Sequence, residues 1–210
     1  MVCSIDEPFE IRLPDRRICG TLHIPDDGGK NAPYPLGVMT HGFGGCYNPH
    51  DQLAHSLAQE GMMVCGFDFC GGGPMSKSSG SMLDMSVLTE TDDLNAVLSR
   101  LLERRDVDAD RVCLFGRSQG GFVSAYVAAQ RPQQVAALVM YFPAFVLQDD
   151  ARKRADAKGR FPKTSVIAGH IVGRKYNEDA VSFDIYEVIG AFRGKVLIVH
   201  GEADRLVPIA

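Results

Sequence analysis

The run Val112-Cys113-Leu114-Phe115-Gly116-Arg117-Ser118-Gln119-Gly120-Gly121 is a short apolar stretch that ends in G-x-S-x-G. A serine hydroxyl gains chemical use when the chain turns sharply from a buried strand into a helix. The turn lifts the hydroxyl above the carboxyl edge of the sheet, and the helix N-terminus lies under the negative charge that develops on an attacked carbonyl. Small residues on both sides of the serine permit the turn. The three fixed positions alone would equally describe a glycine-rich turn, so the context decides, with a strand before and a helix after. Ser118 is the candidate nucleophile of an acyl-transfer site.

Two further motifs fall in the order such a site requires. His41-Gly42-Phe43-Gly44-Gly45 follows the apolar run Leu36–Thr40. A glycine-rich loop there can turn a backbone N–H toward the reacting carbonyl, which makes the N–H groups of Phe43 and Gln119 the expected oxyanion donors. Late in the chain, Lys195-Val196-Leu197-Ile198-Val199-His200-Gly201-Glu202-Ala203-Asp204 places a carboxylate just past a buried strand. The acid of a Ser, Asp, His triad belongs there, where it orients an imidazole and stabilises its cation. Asp204 is the candidate, with Glu202 as its rival.

At these motifs the sequence resembles the α/β-hydrolase superfamily, and more narrowly the bacterial cinnamoyl and feruloyl esterases. The resemblance extends to Gly66-Phe67-Asp68-Phe69-Cys70-Gly71, to Met85-Ser86-Val87-Leu88-Thr89-Glu90 and to Tyr141-Phe142-Pro143-Ala144, and so covers nearly the whole chain. It implies hydrolysis of short or aromatic acyl esters without a cofactor, with residues 148–190 acting as a lid over the acyl pocket. Two positions depart from the family pattern. Gly71-Gly72-Gly73 stands where G-H-G is usual, and Arg117 stands where a histidine often precedes the nucleophile.

A triad also needs a base, because an unassisted serine hydroxyl is a weak nucleophile at neutral pH. The histidine should follow Asp204 after a further crossover of at least ~10–12 residues, and six residues follow Asp204. The expectation is therefore that the catalytic histidine is absent from the sequence, with the last strand and helix of the fold missing and Val196–Val199 left as an exposed sheet edge. Of the six histidines, His41 and His200 sit in strand-exit turns, His23 in the opening hairpin, and His50 and His55 beside the helix after the glycine loop. His170 alone is placed freely enough to swing over Ser118.

The elements that must position these residues are legible in the hydrophobic pattern. Phe9–Leu13 and Arg17–Ile24 read as an antiparallel hairpin around Pro14-Asp15. The runs Leu36–Thr40, Met62–Phe69, Val112–Phe115, Val135–Tyr141 and Val196–Val199 read as strands buried on both faces of a parallel sheet. Val87, Thr91, Leu94, Leu98 and Leu101 share one helix face, and Gln119–Gln130 forms a second helix that stops before Pro132. The predicted class is α/β, a doubly wound, mostly parallel sheet, as one domain over residues 1–210 with the insertion at about 148–190.

Composition narrows the partners. With 45% hydrophobic and 23% charged residues and a net charge of -4, the chain reads as an ordinary globular protein, not a nucleic-acid binder. No apolar run reaches the ~18 residues of a membrane span. The acidic N-terminus lacks the basic and apolar regions of a secretory signal, which leaves the cytoplasm as the default location. The six cysteines form no C-x-x-C pair, so neither a disulfide framework nor a metal site is expected, and no cofactor. The expected partner is a small-molecule ester; the sequence leaves homo-oligomerisation open. A serine peptidase or thioesterase of the same fold is the alternative, and a silent chain that only binds an acyl ligand or a partner is a third reading, motivated by the absent base.

Overall fold

The computed structural model describes residues 3–209. Strands β1 (Cys3–Arg12) and β2 (Arg17–Asp26) pair antiparallel from Cys3 against Asp26 to Arg12 against Arg17. The turn between them is closed by the Leu13 N–H on the Arg16 carbonyl at 2.8 Å. Both strands run further than the apolar alternation predicts. The extra length of β1 carries Asp6, Glu7 and Pro8, residues an edge strand tolerates because its outer side faces water.

Strand β2 pairs antiparallel with β4 (Met63–Phe67), and from there the sheet is parallel through β3 (Tyr34–Thr40), β5 (Val107–Arg117), β6 (Ala137–Tyr141) and β9 (Lys195–Val199). The spatial order is β1-β2-β4-β3-β5-β6-β9. All five residues of β4 are buried, as expected of a strand covered on both faces. β9 pairs only with β6 among the described residues, and Val196, Leu197, Ile198 and Val199 are all exposed.

Helices α1 (Gln52–Gln59), α2 (Val87–Leu102) and α3 (Gln119–Gln130) connect the parallel strands. α2 starts where Ser86 and Thr89 make a reciprocal capping box. It buries Val87, Thr91, Leu94, Leu98 and Leu101, the face read from the sequence, and in addition Glu90 and Asp93. α3 is buried nearly all round, which its alanine and glycine content allows. Between β6 and β9 lie α4 (Leu147–Lys153), a small antiparallel hairpin of β7 (Thr164–Ile167) and β8 (His170–Gly173), α5 (Arg174–Ala180) and α6 (Ile185–Ile189). No helix is long and apolar enough to cross a membrane among the described residues.

The glycine at 66 is fixed by packing. A Cβ there would fall 1.9 Å from Tyr47 Cε2, inside the ring that lies over β4. Gly66→Ala should therefore cost about 1–3 kcal/mol through overpacking. The check is the urea unfolding midpoint, which falls on this account and stays unchanged if Tyr47 can simply swing away.

Candidate active site

β5 ends at Arg117 and α3 begins at Gln119, so one residue makes the reversal. Ser118 does so at φ 52° and ψ -120°, a conformation that L-residues seldom adopt and that costs roughly 1–3 kcal/mol. Its backbone is held on every side. The Ser118 N–H donates to the Tyr141 carbonyl at 3.0 Å, and the Ser118 carbonyl accepts from the N–H groups of Gly121 at 2.9 Å, Phe122 at 3.2 Å and Ala144 at 3.0 Å. The side chain makes no helix cap, which leaves the hydroxyl free.

The glycines around it are required by close approach. A Cβ on Gly116 would meet the Gly120 carbonyl at 2.5 Å, one on Gly120 the His41 carbonyl at 2.4 Å, and one on Gly121 the Pro143 side chain at 3.0 Å. Thr40, at the end of β3, ties that strand to α3: its hydroxyl donates to the Gly120 carbonyl at 3.0 Å and lies 2.9 Å from Ser124 Oγ.

The glycine loop lies directly against the serine. A Cβ on Gly42 would stand 3.2 Å from Ser118 Cβ and 3.7 Å from Ser118 Oγ. The loop is closed by the Gly45 N–H on the Gly42 carbonyl at 3.1 Å. Among the described residues, no protein group accepts from the N–H of Phe43 or of Gln119. For Gln119 this is the ordinary state of a first-turn helix N–H. His41, buried, donates from Nδ1 to the Gly42 carbonyl at 2.8 Å and accepts at Nε2 from the Phe69 N–H at 3.1 Å. Both nitrogens are committed, and burial lowers its pKa, so this ring is a neutral brace. Gly72, which stands where a histidine is usual, and its neighbour Gly73 belong to the same packing. A Cβ on Gly72 would reach His41 Cε1 at 2.8 Å, and one on Gly73 the Gly45 carbonyl at 2.4 Å.

Two side chains to which the sequence motifs assign no role, Glu90 and Tyr176, complete the surroundings. Gln119 Nε2 donates to Glu90 Oε2 at 2.9 Å, and Gln119 Oε1 accepts from the Tyr176 hydroxyl at 2.6 Å. The Tyr176 ring packs edge-on to Phe43 at 5.5 Å between centroids, and His170 does so at 5.9 Å. The insertion thus meets both the glycine loop and the residue after the serine. Helical periodicity could have flagged Glu90, since it falls one residue before Thr91 on the apolar face; Tyr176 carries no comparable signal. Arg117 pairs with Asp51 at 2.9 Å and lies over the Tyr141 ring at 5.9 Å. Asp51 is also the N-cap of α1, so the arginine links the elbow to that helix.

Asp204 lies in the turn after β9. Its Oδ1 accepts from the N–H groups of Leu206 and Val207, both at 2.9 Å, and these bonds hold its carboxyl below the usual range. Oδ2 stands 3.8 Å from His200 Nε2, which is itself 2.7 Å from the Val207 carbonyl. Glu202 is exposed in the same turn. His170 reaches the glycine loop: a Cβ on Gly44 would be 2.9 Å from its Nε2. His23 and His55 lie together by the opening hairpin, apart from this constellation.

Residues 33–188 match the profile of a family described as serine aminopeptidase, S33. The chain belongs to this family of α/β hydrolases. A stretch of 48 residues is 42% identical to the alpha/beta hydrolase domain-containing protein WAV2 of Arabidopsis thaliana, covering 23% of this chain and 16% of that protein. Among solved structures, Est1E from Butyrivibrio proteoclasticus with ferulic acid bound is similar over 95% of this chain and 81% of its own, with a TM-score of 0.82 and 24% identity. The α/β hydrolase GrgF from Penicillium sp. sh18 gives 0.74 at 16% identity over 97% and 82%. The thioesterase domain from the curacin biosynthetic pathway gives 0.64 at 14% over 96% and 85%. At these identities the likeness establishes the fold shared with this hydrolase family.

Burial pushes the Glu90 carboxyl up to about 8 from its ordinary 4.5, with the charge of Asp93 adding to the effect. The folded chain therefore binds more protons than the unfolded chain between those values. Stability that is present below the lower value is lost as pH rises through the higher one. Glu90→Gln keeps an acceptor for Gln119 and removes this titration, so the fall in urea midpoint from about pH 5 to about pH 9 should be shallower in the variant. An identical slope in both proteins would contradict the assignment.

Proposed function

We propose that the chain is a serine hydrolase of carboxylic esters that works through an acyl-enzyme, with Ser118 as nucleophile. One observation carries the reading: the reversal at Ser118 leaves the hydroxyl uncapped beside Gly42, and the N–H groups of the adjoining Phe43 and Gln119 have no protein acceptor among the described residues. In this mechanism Ser118 Oγ attacks the ester carbonyl and loses its proton to a base. The N–H groups of Phe43 and Gln119 hold the oxyanion, the alcohol leaves with the proton, and water then releases the acid. Removing one such donor typically costs ~10²–10³ in kcat. Asp204 is assigned as the acid that orients the base, and its Oδ2, which accepts no hydrogen bond among the described residues, suits that role.

The general base is assigned to none of the six histidines. His41 is braced at both nitrogens, His200 is engaged by the Val207 carbonyl, and His170 packs on the glycine loop. This observation also favours a second reading, in which the 210 residues bind an acyl ligand without turning it over.

The preference for an ester with an aromatic or short acyl group rests on the Phe43, His170 and Tyr176 rings beside the glycine loop, with residues 148–190 acting as a lid. The likeness to Est1E, which has ferulic acid bound, points the same way. The family description names an aminopeptidase and one similar fold is a thioesterase, so amide and thioester substrates are the comparison. The substrate is a small molecule, and the location proposed is the cytoplasm.

The test is release of p-nitrophenol from p-nitrophenyl esters, run beside the matching anilide and thioester. Ser118→Ala should reduce release to the uncatalysed rate, and His170→Ala, which removes a ring from the proposed acyl pocket, should raise KM and leave kcat within about twofold of the parent chain. Retained turnover in Ser118→Ala would sink the nucleophile assignment. A large loss of kcat in His170→Ala would make that residue the base, and no turnover by the parent chain would favour the acyl-binding reading.

A further inference from the structure

At the far end of the sheet, three side chains from three elements converge: Asp6 on β1, His23 on β2 and His55 on α1. One ligand atom from each lies within 4.8 Å of the other two. Asp6 Oδ1 is 2.7 Å from His23 Nδ1 and 3.8 Å from His55 Nδ1, and the two imidazoles meet edge-on at 4.7 Å between centroids. His23 is fully buried, while Asp6 is 40% and His55 29% exposed, so the cluster opens to solvent on one side.

We propose that Asp6, His23 and His55 form a zinc site, with the carboxylate, two Nδ1 atoms and a solvent molecule as the four ligands. Two imidazoles and one carboxylate are a donor set that suits Zn²⁺, which takes nitrogen at ~2.0–2.1 Å and carboxylate oxygen at ~2.0–2.2 Å. Tetrahedral ligands at those lengths stand roughly 3.3 Å apart, between the shortest and widest separations in the cluster, so small side-chain rotations would admit the ion. The surroundings match what a metal-bound histidine needs. His23 Nε2 lies 2.8 Å from the Tyr47 hydroxyl, an acceptor for the ring's other N–H that would fix its tautomer and orientation.

A hydrogen-bonded chain Asp6–His23–Tyr47 accounts for the burial of His23 by itself. It does not account for the approach of His55, whose Nδ1 is hydrogen-bonded to Ser4 Oγ at 3.0 Å and yet faces the same carboxylate at 3.8 Å; the ion would take the place of the Ser4 bond. With the ion in place, the edge strand β1 is clipped to α1, and the Tyr47 side chain is held where it packs over Gly66. The role is structural and independent of the hydrolytic site.

The test is calorimetric titration of the chelator-treated 210-residue chain with Zn²⁺. The expected result is one equivalent bound and a raised Tm. His55→Ala and Asp6→Asn should each weaken binding at least about tenfold, while Cys46→Ser, which removes an exposed thiol, should not change it. Co²⁺ added to the parent chain should give the intense visible bands of a tetrahedral ion without thiolate charge transfer, a readout that needs no variant to fold. Failure to bind zinc, affinity unchanged in His55→Ala, or a six-coordinate cobalt spectrum would each overturn the proposal.

Discussion

The backbone of Ser118 is held at a positive φ because a strand and a helix abut with a single residue between them, and the neighbouring elements are arranged around that fact. The four hydrogen bonds that fix it come from three directions: the end of β6, the first turn of α3 and the segment after Tyr141. Such a conformation survives only where its surroundings determine it several times over. The contacts at Gly116, Gly120 and Gly121 express the same constraint from the other side, since a methyl group at any of them would push one of those elements away.

The elbow and the glycine loop form one packed unit. Gly42 touches the serine, His41 braces the loop to Phe69, and Gly72 and Gly73 fit against His41 and Gly45. A buried polar line then runs from Glu90 through Gln119 to Tyr176, joining α2 to α5 behind the proposed oxyanion donors. Buried groups of this kind are satisfied by one another and specify one arrangement. Through this line the insertion is tied to the residue that follows the nucleophile.

Much of this was legible in the residues. G-x-S-x-G between a strand and a helix, the glycine loop after Thr40 and the face of α2 all follow from local pattern, and the structure brings Ser118, Phe43 and Gln119 together. What sequence could not supply is contact between distant elements. The Arg117–Asp51 pair spans 66 positions and the Tyr176–Gln119 bond spans 57. The convergence of Asp6, His23 and His55 depends on the register of the hairpin and the seat of α1, which no spacing rule encodes. The internal structure of residues 148–190 was illegible because its hairpin and its three helices are too short to show periodicity.

The central claim is that this geometry makes Ser118 the reactive serine. The most direct measurement is peptide mapping by mass spectrometry after exhaustive reaction of the chain with a fluorophosphonate. The account predicts a single phosphonylated peptide carrying the adduct on Ser118. An adduct on a different serine, or none at all, would contradict it.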